Sequence, residues 1–137
     1  ASRFTDNGDG TVTDKTTGLQ WQRCSQGQTW SSGTCTGTAT PHTWQAALQL
    51  AAAASYAGQS DWRLPNTKEL ASIVEQACYS PAIDLAVFPG TPSSYFWSSS
   101  PYANDAGSAW IVGFGSGHDG GVSKSSAYQV RLVRGGQ

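Results

Sequence analysis

Apolar residues change their spacing several times along this chain, and each change marks a different element. Near the start the apolar points are Phe4, Val12, Leu19 and Trp21, separated by Asp6-Asn7-Gly8-Asp9-Gly10 and Asp14-Lys15-Thr16-Thr17-Gly18. Asn-Gly and Asp-Gly steps favour turns that need positive φ, so this segment predicts short strands joined by tight hairpins. From Thr43 the spacing becomes i, i+3, i+4, i+7 at Trp44, Ala47, Leu48 and Ala51, predicting a helix that runs to about Tyr56 and stops at Gly58. A second helix is predicted from Asn66 as N-cap, with Glu69 placed for a capping box. Its apolar face would be Leu70, Ile73, Val74 and Ala77, and Pro81 limits its length.

Beyond Pro81, Pro89 and Pro92 the pattern is strand-like. Phe96-Trp97 is one piece. A second places Trp110, Val112 and Phe114 on one face and Ala109, Ile111 and Gly113 on the other; packing the first set inward turns Ile111 and Gly113 to the surface. A third places Tyr128, Val130 and Leu132 opposite Gln129, Arg131 and Val133. Residues 115–126 have no apolar periodicity and predict a surface loop. The expectation is a single α+β domain over residues 1–137, two helices against a small, mostly antiparallel sheet with a loop-rich second half.

Composition narrows the chemistry. Charged residues make up 12% of the 137 residues, about half the usual share. The net charge is -1 and the eight basic residues are scattered, so no stripe exists to bind nucleic acid. No apolar run approaches the roughly 20 residues of a membrane span. No signal peptide precedes Ala1-Ser2-Arg3, so the chain reads as a mature or excised domain. Low charge and three cysteines suit an exported protein at the cell surface or outside it, any lipid anchor lying outside this chain. Three cysteine pairings are open; Cys24–Cys35 is favoured because it would restrain a Gly/Ser/Thr-rich loop, leaving Cys78 free. The spacings of the cysteines, His42 and His118 match no zinc site, and the Asp/Asn/Gly turns lack a calcium loop's alternation and distal acid. No cofactor is expected.

Residues 102–128 carry six Gly, five Ser, four Ala, two Asp and two Tyr. Rigid amphipathic Tyr among adaptable small polar residues is the composition of a paratope. Catalysis has little to rest on: His118 beside Asp119 has no positioned nucleophile, and no helix follows Gly113-x-Gly115-x-Gly117. Trp21, Trp44, Trp62, Trp97 and Trp110 sit in apolar patterns that favour core packing; Trp30, inside the cysteine loop, is expected to be more exposed.

Three motifs, in order, carry a resemblance. Arg3-Phe4-Thr5-Asp6-Asn7-Gly8-Asp9-Gly10-Thr11-Val12, Asp61-Trp62-Arg63-Leu64-Pro65-Asn66-Thr67-Lys68-Glu69-Leu70 and the closing segment from Val130 to Gly136 resemble the bacterial family typified by the C-terminal domain of the Legionella collagen-like adhesin. The resemblance implies a C-type-lectin-like fold related to formylglycine-generating and sulfatase-modifying domains. That oxidase chemistry would need a reactive cysteine pair in the C-terminal half, and no Cys follows Cys78.

The chain is also similar to the variable proteins of diversity-generating retroelements, in which Asn codons of a strand-loop-strand region are randomised. Over residues 102–129 only Trp110, Lys124 and Gln129 lie outside what such randomisation reaches. The likeness implies a scaffold over 1–101, a variable ligand-binding region over 102–129 and a closing strand over 130–137. Framework positions would be Ala109, Trp110, Val112, Phe114, Gly117 and Lys124. Ligand-binding positions would be Tyr102, Asn104, Asp105, Gly107, Ser108, Ile111, Gly113, Gly115 and Ser116, then His118, Asp119, Gly120, Gly121, Val122 and Ser123, and finally Ser125, Ser126, Ala127 and Tyr128. The expected activity is non-catalytic recognition of a protein or other cell-surface ligand. The alternative implied by the adhesin is a trimeric head that gathers cations from three subunits to bind sulfated glycosaminoglycans.

Overall fold

A computed structural model of the protein describes residues 3–31, 33–75, 81–103 and 105–135; Asn104, Ala77 and Cys78 fall outside them. The N-terminal strands are β1 (Phe4–Asp6), β2 (Thr11–Asp14) and β3 (Leu19–Gln22), paired antiparallel as expected from the turns between them. The first turn is built by side chains. Asp6 Oδ1 accepts from the Gly8 amide at 2.9 Å, Asp9 Oδ1 from the Thr11 amide at 3.1 Å, and Gly8 and Gly10 take φ of 81° and 88°. These carboxylates satisfy backbone donors, the work Asx turns do. Buried Asp14 is held by Arg3 Nε at 2.9 Å, which fastens the chain start to β2.

The strands β4 (Thr29–Ser31) and β5 (Thr34–Thr36) form a hairpin inside the cysteine loop, closed by a Cys24–Cys35 disulfide with Cα atoms 5.5 Å apart. Trp30 is half-buried beneath the Arg23 guanidinium, 4.5 Å from its ring centroid, so it is less exposed than expected.

Helix α1 (Trp44–Ala53) starts where the periodicity begins, with the Thr43 hydroxyl capping the Ala46 amide; it ends at Ala54, before the expected stop. Helix α2 (Thr67–Ala71) carries the full capping box, Asn66 Oδ1 accepting from the Glu69 amide at 2.8 Å and Glu69 Oε1 from the Asn66 amide at 2.9 Å. It is one turn and a half, much shorter than the periodicity predicts. Leu70 and Ile73 still reach the core, but Ile73 follows the helix in a turn. Burial without helix gives the same apolar spacing.

A third sheet, β6 (Tyr95–Pro101), β7 (Ser108–Gly113) and β8 (Asp119–Ser123), is antiparallel in that order, so the described strands form three small sheets and not the one expected. The chain then crosses back: Gln129 bridges Phe96, and β9 (Val133–Gly135) pairs with β3, placing Val133 opposite Trp21. The expected strand over 128–133 is therefore split between two sheets. Its middle carries Arg131, fully buried with no carboxylate partner among the described residues. That guanidinium donates to the carbonyls of Gln22 (2.9 Å) and Arg23 (2.6 Å) and to Thr91 Oγ1 (2.6 Å), and desolvation pulls its pKa down to about 9. Those bonds tie the end of β3 to the proline-containing coil, stabilising a cation that burial alone would penalise.

Two apolar clusters hold the molecule. Trp21, Leu70, Phe88, Phe96, Val112 and Phe114 form one between the N-terminal sheet and α2; Trp62, Leu64, Trp97, Ile111, Val130 and Leu132 form the other beside α1. β7 lies between them. Val112 feeds one cluster and Ile111 the other, so this central strand is buried on both faces.

Candidate functional site

The surface over residues 102–128 begins where β6 meets α2. Fully buried Ser98 directs its hydroxyl to the Trp110 carbonyl at 2.8 Å, lies 3.1 Å from Thr67 Oγ1 and accepts from the Ser100 amide at 3.1 Å. Ser100 Oγ in turn accepts from the Thr67 amide at 3.0 Å, and Trp44 Nε1 donates to the Ser98 carbonyl at 2.8 Å. The serines after Trp97 thus knot both helices to the sheet.

Residues 115–126 are not the featureless loop that the sequence predicts. Asp119–Ser123 is an edge strand paired with β7, with Trp110 opposite Gly121 and Ile111 opposite Gly120. The missing signal is apolar alternation; Gly-Gly and polar residues suffice for an edge strand because its outer row faces water and its order comes from the partner.

Alternation along this hairpin sends its residues to opposite faces. On the α2 side, Trp110 is half-exposed and meets the Tyr102 ring at 5.0 Å. A cavity of about 570 Å³ is lined there by Asn66, Lys68, Ala71, Ser100, Trp110 and Asp119. Elsewhere Tyr95 contacts both His118 (6.2 Å between centroids) and Tyr128 (5.3 Å), and Tyr95, Ala127 and Tyr128 border a second cavity of about 360 Å³. Ser125 lies in a third depression with Lys124, whose ammonium sits 4.4 Å from the Trp44 centroid and donates to the Ala106 carbonyl at 2.7 Å.

The inside-outside assignment of β7 needs correction. Ile111 and Gly113, expected at the surface, are buried, and Trp110, expected inside, is half-exposed. Strand alternation is correct, but both faces of β7 are covered except where α2 ends. Asp105, Gly107, Ser116, His118, Asp119, Gly121, Ser123, Ser125 and Ala127 are exposed; Tyr102, Ser108, Gly115, Gly120, Val122, Ser126 and Tyr128 are intermediate. Asn104 lies outside the described residues. Asn66, Lys68 and Ser100 border the same cavity although sequence reasoning assigned them to the scaffold.

Local bonds hold this surface. Exposed Asp105 accepts from the Gly107 amide at 2.9 Å and Ser108 Oγ at 3.0 Å, which lowers its pKa; Ser116 Oγ lies 2.6 Å from His118 Nδ1 and Ser123 Oγ 2.8 Å from Ser125 Oγ. Arg3, Arg23, Arg63 and Arg134 are engaged with Asp14, Asp6, Glu69 and Asp61, and Arg131 is buried. No group of His, Cys, Asp and Glu among the described residues is arranged to hold a metal ion. None of the described helices is long and apolar enough to cross a membrane.

The molecule is thus a disulfide-closed α+β domain with a glycine-rich hairpin beside its second helix. The family model of the Lcl C-terminal domain matches residues 10–134, and the chain belongs to that family, a class of surface adhesin-like domains. A comparison with curated proteins gave no match. Family and disulfide are both compatible with an extracellular protein.

Proposed function

We propose that this chain is a non-catalytic, exported recognition domain on a C-type-lectin-like fold, and that the β7–β8 hairpin with its flanking loops is a diversified surface for a protein or other cell-surface ligand. One observation carries the reading. Within 102–128 the hydrophobic side chains that are buried belong to Ala109, Ile111, Val112 and Phe114, and Val122 of β8 packs against the second cluster, whereas the exposed positions of β8 and its flanking loops are small or polar residues on a backbone held by local bonds. The exposed polar positions Asp105, Ser116, His118, Asp119, Ser123 and Ser125 can change sequence at a cost within about 0.5 kcal/mol, because none of them belongs to either apolar cluster. Tyr102, Tyr128 and His118 supply the larger contacts and Asp105 and Asp119 the charge; Ile111, being buried, supplies support instead. The engaged arginines leave little for a polyanion, so a sulfated glycan is not favoured.

Sequencing the DNA around the gene tests diversification. A near-copy of the segment encoding 102–129, differing where the copy has adenine and lying beside a reverse transcriptase, is expected; its absence refutes that part. Recognition is tested by displaying a library randomised at Asp105, Ser116, His118, Asp119, Ser123 and Ser125 and selecting against a chosen protein. Folded binders should emerge. A library that is mostly unfolded, or that yields no binder against several targets, refutes the display reading.

A further inference from the structure

Tyr102 covers a place that its own sequence neighbours do not explain. Its ring lies against Trp110 at 5.0 Å and 57°, and directly over Gly121, the residue opposite Trp110 in register. A Cβ at position 121 would stand 2.5 Å from Tyr102 Cδ1, 2.6 Å from Cε1 and 2.8 Å from Cγ. Carbon atoms in contact rest at about 3.5–4.0 Å, so the ring can sit there only because residue 121 has no side chain. Gly121 is not needed for backbone reasons: it lies inside β8 and outside the positive-φ glycines.

The cover is attached at its base and free at its tip. The Tyr102 amide donates to the Ser108 carbonyl at 3.1 Å and the Tyr102 carbonyl accepts from the Asp105 amide at 3.1 Å, which fixes the backbone. Among the described residues nothing hydrogen-bonds the hydroxyl, and the ring is half-exposed. β8, in contrast, is anchored at both ends, by the Gly113 amide on the His118 carbonyl (2.7 Å) and the Lys124 amide on the Gly107 carbonyl (2.8 Å). A force applied between ring and strand therefore rotates the ring about its side-chain torsions and leaves the strand in place.

We infer that the slot with Gly121 as floor and Trp110 as wall is a binding site for an aromatic side chain of a protein partner, occupied in the free protein by Tyr102, which swings out to admit it. This rests on the hairpin being a recognition surface and adds which chemical group it takes. The shape of the occupant follows from the ring already there: a flat six-membered aromatic in tilted contact with an indole. Trp110, the wall of the slot, also borders the cavity lined by Lys68 and Asp119, neither of which has an ion-pair partner among the described residues; they are available to polar groups flanking the incoming ring. Position 121 sets specificity, because any side chain there fills the slot.

The test needs no natural ligand. p-Cresol, the tyrosine side chain alone, is titrated at millimolar concentration into 15N-labelled protein, following the Trp110 indole resonance. Tyr102→Ala should bind it saturably with a shift at Trp110, and wild type should bind about tenfold more weakly because its own ring competes. Adding Gly121→Ser to Tyr102→Ala should abolish the binding while the fold persists, the clash partner being gone. No p-cresol shift at Trp110 in Tyr102→Ala overturns the slot, and undiminished binding in the double variant overturns Gly121 as its floor. Because the probe is a free phenol, these outcomes are independent of whether the displayed library yields binders.

Discussion

Replacing Glu69 tests how the wall of the Trp110 cavity is held. The Glu69 carboxylate takes both guanidinium nitrogens of Arg63 at 2.7 Å each and also accepts from the Asn66 amide at 2.9 Å. Arg63 continues to the Gly135 carbonyl at 2.9 Å, and its backbone pairs with Val133, so one carboxylate joins the start of α2 to the closing strand. The pair is partly screened, with side-chain exposures of 34% and 15%. Charged hydrogen bonds contribute about 1.5–3 kcal/mol, the low end applying here, and an N-terminal capping bond about 1 kcal/mol. Glu69→Ala should therefore cost about 3 kcal/mol and lower Tm by about 10 °C. In a cycle with Arg63→Met the coupling should be about 1.5 kcal/mol. Burial pushes the Glu69 pKa up, but the hydrogen bonds from Arg63 and the Asn66 amide, with the Arg63 charge, outweigh it and hold the carboxyl below its usual range. A carboxylate with a depressed folded pKa contributes fully above its unfolded value, near 4.3, and loses that contribution as pH falls through the folded one. Urea denaturation at pH 7 and at about pH 2.5 should show the gap between wild type and Glu69→Gln closing in acid. A loss under about 0.5 kcal/mol for Glu69→Ala, or a gap independent of pH, would refute the reasoning.

Three further outcomes follow from the same geometry. Ser98→Ala should cost about 2 kcal/mol in chemical denaturation, since it leaves the Trp110 carbonyl without its 2.8 Å donor in a buried setting. Reducing Cys24–Cys35, a loop of sequence separation 11, should lower stability by about 3 kcal/mol, read as a Tm shift with and without reductant. Ile111→Ala should cost about 3 kcal/mol while His118→Ala stays within about 0.5, a contrast that thermal denaturation of the two variants checks directly.

The sequence determined the features that depend on neighbours along the chain. The Asp-Asn-Gly turns, the Thr43 start of α1 and the capping box of Asn66 and Glu69 are all local hydrogen-bond chemistry, and each stands where the residues place it. The Cys24–Cys35 closure was legible as a short loop, and the exposed polar character of the hairpin as composition. What only the tertiary structure decided is which side of an element is covered, and by what. Helix α2 stops early although Ile73 stays buried, because burial depends on what lies opposite and not on helical hydrogen bonds. Strand order in β8 comes from β7, a partner its own residues do not announce. Trp110 and Ile111 exchanged their expected roles for the same reason: alternation fixes that they point apart, while the second cluster around Trp97 and Leu132 makes the Ile111 side an interior. The cavity-lining residues Asn66, Lys68 and Ser100 meet Trp110 because Ser98 and its neighbours tie α2 to the sheet.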